Sequence, residues 1–352
     1  MPKFKRNNLP RLNRYFSAED TREALENNKL LSLSIKLPVG CNLRCLYCYS
    51  ERKYGNLSYD ELLDILFQAA QMGISSISIV GEGEPLLYRD RKSGKDVFDL
   101  IRDANIMGLE VILYTNTTLI NKKIAEVLYG LNVTVVGKLN SLHKDIQDFL
   151  CGVKGSFEKI TKGLSHLEKA GFTKGKSRLS IHTVICKQNY SQIPQLWKKW
   201  RKRNIIPYVQ VMIHHAKKNV KYFPELKVPP AKVRDLFHKL SIIDRKEFGF
   251  VWDPDYTYPI AALGCSVIKT GCCIDSSAKV QMCGCLQDNV GDLRKSSLRE
   301  IINSARVRKI RLYNYNSGSV SLIYFYGCRT MAFNMTGDRF ARDPFFWKNK
   351  NG

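Results

Sequence analysis

Three cysteines, Cys41, Cys45 and Cys48, lie close together in a loop that directly follows an apolar, strand-like run. Three thiolates at this spacing can surround one face of a four-iron cluster and leave the fourth iron without a protein ligand. Ferredoxin-type clusters normally have a cysteine on every iron. An iron without a protein ligand can bind and activate another molecule, so the spacing predicts a reactive cluster. The alternative interpretations are a zinc knuckle or three buried cysteines.

Alternating strand-like and helix-like segments follow this loop and must position it. The apolar patterns predict strands at 31–37, 76–80, 110–114, 133–138, 179–186 and 207–213. Helices are predicted between them at 58–72, 97–107, 122–129, 157–170 and 193–203. Such alternation requires a parallel sheet with helical crossovers, and six units of this kind form an open, incomplete barrel.

Composition changes near Pro229-Pro230, and six of the eleven cysteines lie after residue 260. We therefore expect an α/β protein with a basic N-terminal extension at 1–30, a barrel at 31–235 and a small cysteine-rich domain at 236–352. The length of 352 residues and the hydrophobic content of 44% fit one large and one smaller globular domain.

The sequence contains no apolar run of membrane-spanning length and no signal-peptide pattern. Eleven cysteines in such a chain indicate metal ligation in a reducing cytoplasm rather than disulfides. We therefore expect a cytoplasmic protein that does not insert into membranes.

The net charge of +24 predicts that the protein attracts anions. Its basic clusters are scattered rather than arranged as a stripe, so nucleic acid is a possible partner but not the favoured one. Solvated helix faces would explain the same charge equally well.

A second motif, Gly81-Glu82-Gly83-Glu84-Pro85, follows the second predicted strand. Together with the cysteine loop it resembles the radical S-adenosylmethionine (SAM) enzymes, and the resemblance extends over residues 31–215. It implies a partial (β/α)6 barrel, a [4Fe–4S] cluster and SAM as cofactors, and an external electron donor of flavodoxin or ferredoxin type. In this family an electron from the cluster cleaves SAM to a 5′-deoxyadenosyl radical.

The resemblance also implies a set of SAM-binding residues at the carboxyl ends of the strands, where parallel α/β proteins bind ligands. Tyr47 would lie near the adenine, Gly83 would let the backbone approach the ligand, and Glu84 would bind the amino group. The full predicted set is Tyr47, Gly83, Glu84, Asn116, Lys138, Asn140 and Ser141.

The late cysteines resemble those of the SPASM and twitch domains, which hold auxiliary [4Fe–4S] clusters. Full two-cluster domains usually have cysteines where this chain has Phe325 and Phe345. We therefore expect one auxiliary cluster, with a hairpin at 273–283 that delivers a cysteine at its end. Its predicted ligands are Cys265, Cys272, Cys283 and Cys328. Cysteines that are merely buried, or a zinc site, remain open alternatives.

A deoxyadenosyl radical abstracts hydrogen atoms from unactivated carbon. The shortened cysteine set favours a polar small-molecule substrate (sugar, aminocyclitol or nucleotide type) that undergoes dehydrogenation or epimerisation. The alternative is a peptide-modifying enzyme that makes thioethers, carbon–carbon cross-links or epimerised residues. In either class the basic surface predicts an anionic substrate. The catalytic residues stay undetermined; Cys151 or Cys186 could return a hydrogen atom, and His214 could act as a base.

Overall fold

A nine-stranded sheet forms the framework of the part of the chain that the structure, a computed structural model, describes. The described residues are 16–50, 55–214, 219, 221–255, 257–286, 288–313 and 327–345. The strand order is β6-β5-β4-β3-β2-β1-β7-β8-β9. The strands are β1 Ser32–Leu37, β2 Ser76–Gly81, β3 Glu110–Thr115, β4 Thr134–Lys138, β5 Leu179–Ile185, β6 Ile206–Val211, β7 Gly271–Ile274, β8 Lys279–Gln281 and β9 Asn289–Asp292.

Helices connect these strands and cover the outer face of the sheet. They are α1 Ala18–Glu26, α2 Tyr59–Gln71, α3 Val97–Ile106, α4 Lys122–Gly130, α5 Lys144–Cys151, α6 Ser156–Ala170, α7 Ile193–Lys202, α8 Phe223–Leu226, α9 Pro230–Ile243, α10 Val267–Thr270, α11 Leu298–Asn303, α12 Ala305–Leu312 and α13 Arg329–Thr336. The beginning of α2 is encoded locally, because Ser58 and Glu61 form a reciprocal capping box.

The first six strands run parallel, and the sheet does not close on itself, which confirms the expected partial barrel. Side chains alternate along each strand. On β1, Leu33, Ile35 and Leu37 pack into the main hydrophobic cluster under the helices. The intervening positions therefore face the barrel interior.

The structure contains three features that the sequence analysis did not predict. The extension predicted at 1–30 contains helix α1 in its described part. Helix α5 was not predicted at all. The proposed boundary at 235/236 falls inside α9, and β7 continues the barrel sheet by pairing in parallel with β1. The cysteine-rich segment therefore shares a sheet with the barrel.

The hairpin that the sequence predicts at 273–283 is confirmed in this part of the fold. Strands β7 and β8 pair antiparallel and form the predicted hairpin. Among the described residues, no helix is long and apolar enough to cross a bilayer.

Candidate active site

A large cavity lies inside the partial barrel and encloses about 1420 Å³ of empty space, counting open solvent at its mouth. The strand ends, the cysteine loop and the late cysteine segment all border it. Its polar and sulfur-bearing walls include Cys41, Cys45, Cys48, Tyr47, Glu84, Asn116, Lys138, His182, Tyr208, Gln210, Cys265, Cys283, Cys285 and Cys328. One space thus brings together the two groups of cysteines that the sequence singled out.

Helix α5 holds the cysteine loop in place. The backbone N–H of Arg44 donates to the Cys151 carbonyl at 3.0 Å, and that of Leu46 donates to the Leu150 carbonyl at 3.0 Å. These bonds tie the loop to the carboxyl end of the helix. The thiols of Cys41, Cys45 and Cys48 are half-buried at the cavity wall, where they are accessible to a bound group.

The glycine-rich segment after β2 packs directly on this loop. The backbone N–H of Glu84 donates to the Gly40 carbonyl at 2.8 Å. A Cβ atom on Gly83 would lie only 2.0 Å from the same carbonyl oxygen. Glycine is therefore required at position 83 for the two loops to meet.

Glu84 presents a buried carboxylate to the cavity and is only 1% exposed. It accepts hydrogen bonds from Thr115 Oγ1 at 2.6 Å, from the Asn116 backbone N–H at 2.7 Å and from the Leu86 N–H at 3.2 Å. Burial raises the pKa of Glu84 to about 7, although the three donors oppose the shift. The site can therefore hold a cationic or N–H-rich group most strongly when this carboxyl is ionised.

Lys138, His182 and Tyr208 form a row across three neighbouring strands, since they are register partners on β4, β5 and β6. Lys138 Nζ lies 3.2 Å from His182 Nδ1, and the His182 ring stacks on Tyr208 with 4.3 Å between centroids. Lys138 Nζ also lies 4.9 Å from the centroid of the Tyr47 ring. Loss of hydration lowers the pKa of Lys138 to about 8.

Tyr208 and Gln210 were missed by sequence reasoning, although their alternate positions on β6 carried a signal. Polar side chains two residues apart on an otherwise apolar strand indicate a face that borders a cavity rather than the core.

Two of the predicted SAM-binding residues do not line the cavity. Asn140 and Ser141 are fully buried and hold backbone and neighbouring side chains: Asn140 Oδ1 accepts from the Val184 N–H, and Ser141 Oγ donates to Gln192. These contacts stabilise the ends of β4 and β5. By contrast, Tyr47, Gly83, Glu84, Asn116 and Lys138 all border the cavity.

The weak catalytic candidates also lie outside the cavity lining. Cys186 is buried, and burial raises its thiol pKa to about 12. Cys151 is buried behind the cysteine loop, where Gln147 Nε2 donates to its sulfur at 3.0 Å. The backbone N–H of His214 donates to the Met331 sulfur, and its ring packs on the edge of Phe223. Phe325, which the sequence analysis named, lies outside the described residues.

Cys265, Cys283, Cys285 and Cys328 converge on one wall of the cavity, whereas Cys272 does not. Cys272 is the register partner of Leu33 and shares its helix-facing side, where it is buried in the main hydrophobic cluster. The structure thus brings Cys285 to the other three cysteines in place of Cys272. Sequence reasoning missed this because the outcome depends on how β7 pairs with β1.

Hydrogen bonds to two of these four cysteines hold the late cysteine segment together. Thr330 Oγ1 donates to Cys283 Sγ at 3.4 Å, and the Cys328 N–H donates to Asp343 at 2.9 Å. Among the described residues, no three His, Cys, Asp or Glu side chains converge closely enough for one metal ion. Thiolates around a four-iron cluster surround several atoms and stand farther apart than the ligands of one zinc ion. The four thiols that border the cavity match in type and number the cysteine ligands that a [4Fe–4S] cluster usually has.

Comparison with known proteins agrees with this geometry. Residues 35–198 match the family model of the radical SAM superfamily. An AdoMet-dependent heme synthase of Methanosarcina barkeri is 25% identical, and the match covers 88% of this chain and 94% of that protein. A protein named "Probable GTP 3′,8-cyclase" from Methanosarcina mazei is 25% identical over 80% of this chain and 86% of its own. The fold is similar to that of Streptococcus suis SuiB bound to its precursor peptide SuiA (TM-score 0.68, 20% identity, 93% of this chain and 79% of that chain).

Proposed function

Because the chain contains a radical SAM domain, and that superfamily uses a [4Fe–4S] cluster and SAM, we propose that Cys41, Cys45 and Cys48 hold the SAM cluster. The observation that carries the proposal is that these three thiols share one cavity with the buried carboxylate of Glu84. When bound, the cluster supplies the electron that cleaves SAM to methionine and a 5′-deoxyadenosyl radical.

The chain's own residues would orient SAM for this step. Gly83 lets the backbone pack against the cysteine loop, so that the Glu84 carboxylate stands beside the thiols and can accept from the SAM amino group. Lys138 supplies a cation for the SAM carboxylate. Its ammonium lies beside the rings of His182 and Tyr47, neither of them a carboxylate, so an anionic ligand would offset the cost of burying its charge. Tyr47 and Asn116 complete the wall.

We further propose that Cys265, Cys283, Cys285 and Cys328 hold one auxiliary [4Fe–4S] cluster. Four cysteines are the usual complement of such a cluster, and these four border the same cavity as the SAM site. A cluster there could accept the second electron of a dehydrogenation or bind the substrate. We do not include Cys272 in the proposed set, because it lies in the main hydrophobic cluster.

The substrate would lie against the inner face of β5 and β6, where His182, Tyr208 and Gln210 border the cavity. The net charge of +24 favours an anionic substrate. The names of two relatives point the same way, since GTP carries phosphates and heme carries carboxylates. We therefore propose hydrogen abstraction from an anionic small molecule, either a carboxylate-bearing tetrapyrrole or a phosphorylated nucleotide or sugar. An acidic precursor peptide is the second candidate, and the same charge favours it.

Reductive cleavage of SAM tests the first part of this proposal. Anaerobically reconstituted protein with dithionite and SAM should slowly release 5′-deoxyadenosine, and a variant with Cys41, Cys45 and Cys48 all changed to Ala should not. Release that persists in the triple variant would refute the assignment. The substrate class is tested by adding a porphyrin carboxylate, GTP and an acidic peptide separately. The true substrate should accelerate 5′-deoxyadenosine formation, and its effect should fall with rising salt.

A further inference from the structure

Lys36 lies on β1, only a few residues before Cys41, yet its side chain reaches the late cysteine segment. It is the register partner of Val80, which borders the cavity, so Lys36 also stands on the inner face of the sheet. Its ammonium donates to Gln281 Oε1 at 3.1 Å. Gln281 is the last residue of β8, two positions before Cys283. The strand that leads into the SAM cysteines thus carries a cation to the other group of cysteines.

The Lys36 stem runs against the turn that carries two of the four late thiols. Gly284 separates Cys283 from Cys285, and a Cβ atom at Gly284 would lie 3.7 Å from Lys36 Cε. The same Cβ would lie 3.3 Å from Cys273 Sγ. Lys36 and Cys273 therefore both pack directly beneath the Cys283–Cys285 turn.

The surroundings keep the Lys36 ammonium charged. Burial by itself would lower the pKa of Lys36, but the neighbouring Cys273, Glu82 and Asp275 act in the opposite direction and raise it. Gln281, which accepts from Lys36, also donates through Nε2 to Asp275 at 3.5 Å, and Ser276 Oγ of the hairpin turn donates to Glu82 Oε2 at 2.5 Å. The bond from the ammonium to Gln281 and the packing of the Lys36 stem against Gly284 place a cation beside the auxiliary cysteines.

We propose that Lys36 sets the reduction potential of the auxiliary cluster, acting through Cys283 and Cys285 and not as a catalytic residue. This inference rests on the auxiliary cluster of the proposed function. Reduction adds one negative charge to a cluster, and a nearby buried cation favours that charge because the surrounding dielectric is low. Net charge and hydrogen bonding around the sulfurs are the means by which proteins adjust such potentials. Lys36 would make the auxiliary cluster easier to reduce.

The test isolates the auxiliary cluster by changing Cys41, Cys45 and Cys48 to Ala, and then adds Lys36→Met, Lys36→Gln or Lys36→Arg. Each reconstituted protein is assayed for iron and titrated with a reductant under electron paramagnetic resonance detection. Lys36→Met should shift the reduction equilibrium at least tenfold toward the oxidised cluster, about 59 mV for one electron. Lys36→Arg keeps the positive charge. Its reduction potential should therefore stay close to that of the protein with Lys36. Lys36→Gln removes the charge but keeps a polar group near Gln281, and it serves if the Met variant does not fold.

Lys279→Met is the matched control. Lys279 lies on the same hairpin, but its ammonium pairs with Asp292 at 2.6 Å, so its loss should leave the potential unchanged. The role of Lys36 is overturned if its variants bind as much iron as the triple-cysteine protein and have the same reduction potential. That outcome would leave the auxiliary cluster itself unaffected. Failure of the triple-cysteine protein to retain any iron would instead overturn the auxiliary cluster, and the inference with it.

Discussion

Lowering the pH through 7 is expected to weaken SAM binding through one group, Glu84. Its carboxyl is buried and has a pKa of about 7, raised from an ordinary 4.5, which corresponds to about 3 kcal/mol against ionisation. The sign follows from the raised value: in the free protein this group favours folding fully below pH 4.5, and that contribution is lost as pH rises through 7. A bound amino group reverses the preference, because it interacts most strongly with the ionised carboxylate.

The expected magnitude follows from the ionised fraction and the hydrogen bond. About nine-tenths of Glu84 is ionised at pH 8 and about one-tenth at pH 6, so SAM affinity should fall by up to about tenfold. Glu84→Gln removes a charge-assisted hydrogen bond of roughly 1.5–3 kcal/mol, which weakens binding at pH 8 by about 10- to 100-fold. The variant should also lose the pH step that belongs to Glu84.

Anaerobic calorimetry of SAM binding between pH 6 and 8 measures both effects. The SAM amino group titrates as well, but it does so with both proteins and cancels in the ratio of their affinities. Glu126→Gln changes an exposed glutamate that forms an ion pair with Lys122 at the surface, and this control should bind SAM like the wild type. A wild-type to Glu84→Gln affinity ratio that stays constant across this range would refute the reasoning.

Three further changes have defined outcomes. Cys285→Ala should reduce the iron bound after reconstitution from about eight to about four atoms. Cys272→Ala should keep all the iron and only destabilise the core. Equal loss of iron in both variants, measured by iron assay, would contradict the proposed ligand set. Asp244→Ala should lower the free energy of unfolding by about 3–5 kcal/mol, because it leaves the buried Arg201 guanidinium without its bidentate partner. Denaturant unfolding measures this free energy. A loss below about 1 kcal/mol would contradict the prediction. Gly83→Ala should abolish SAM binding, because a methyl group at this position collides with the Gly40 carbonyl. Calorimetry measures the binding, and circular dichroism should show that most secondary structure is intact. Wild-type affinity in this variant would show that the glycine-rich segment and the cysteine loop can separate at no cost.

The sequence by itself determined the elements whose signals are local. The spacing of Cys41, Cys45 and Cys48 lies within one loop, and the capping box of Ser58 and Glu61 lies within one helical turn. The apolar periodicity located all six barrel strands to within a few residues. It missed α5, which is only 8 residues long and whose N-cap residue, His143, makes no side-chain capping bond. Local geometry and hydrophobic periodicity suffice for such features because they depend on neighbours along the chain.

The tertiary structure alone decided which distant residues meet. Cys272 and Cys273 are adjacent in sequence, yet pairing of β7 with β1 turns the first toward the helices and the second toward the interior. That pairing, and not composition, removed Cys272 from the late cysteine group and brought in Cys285. The contact of Lys36 with Gln281 and the row of Lys138, His182 and Tyr208 likewise depend on strand order and register. Because side chains alternate across a strand, a register set by long-range packing decides which of them face the cavity.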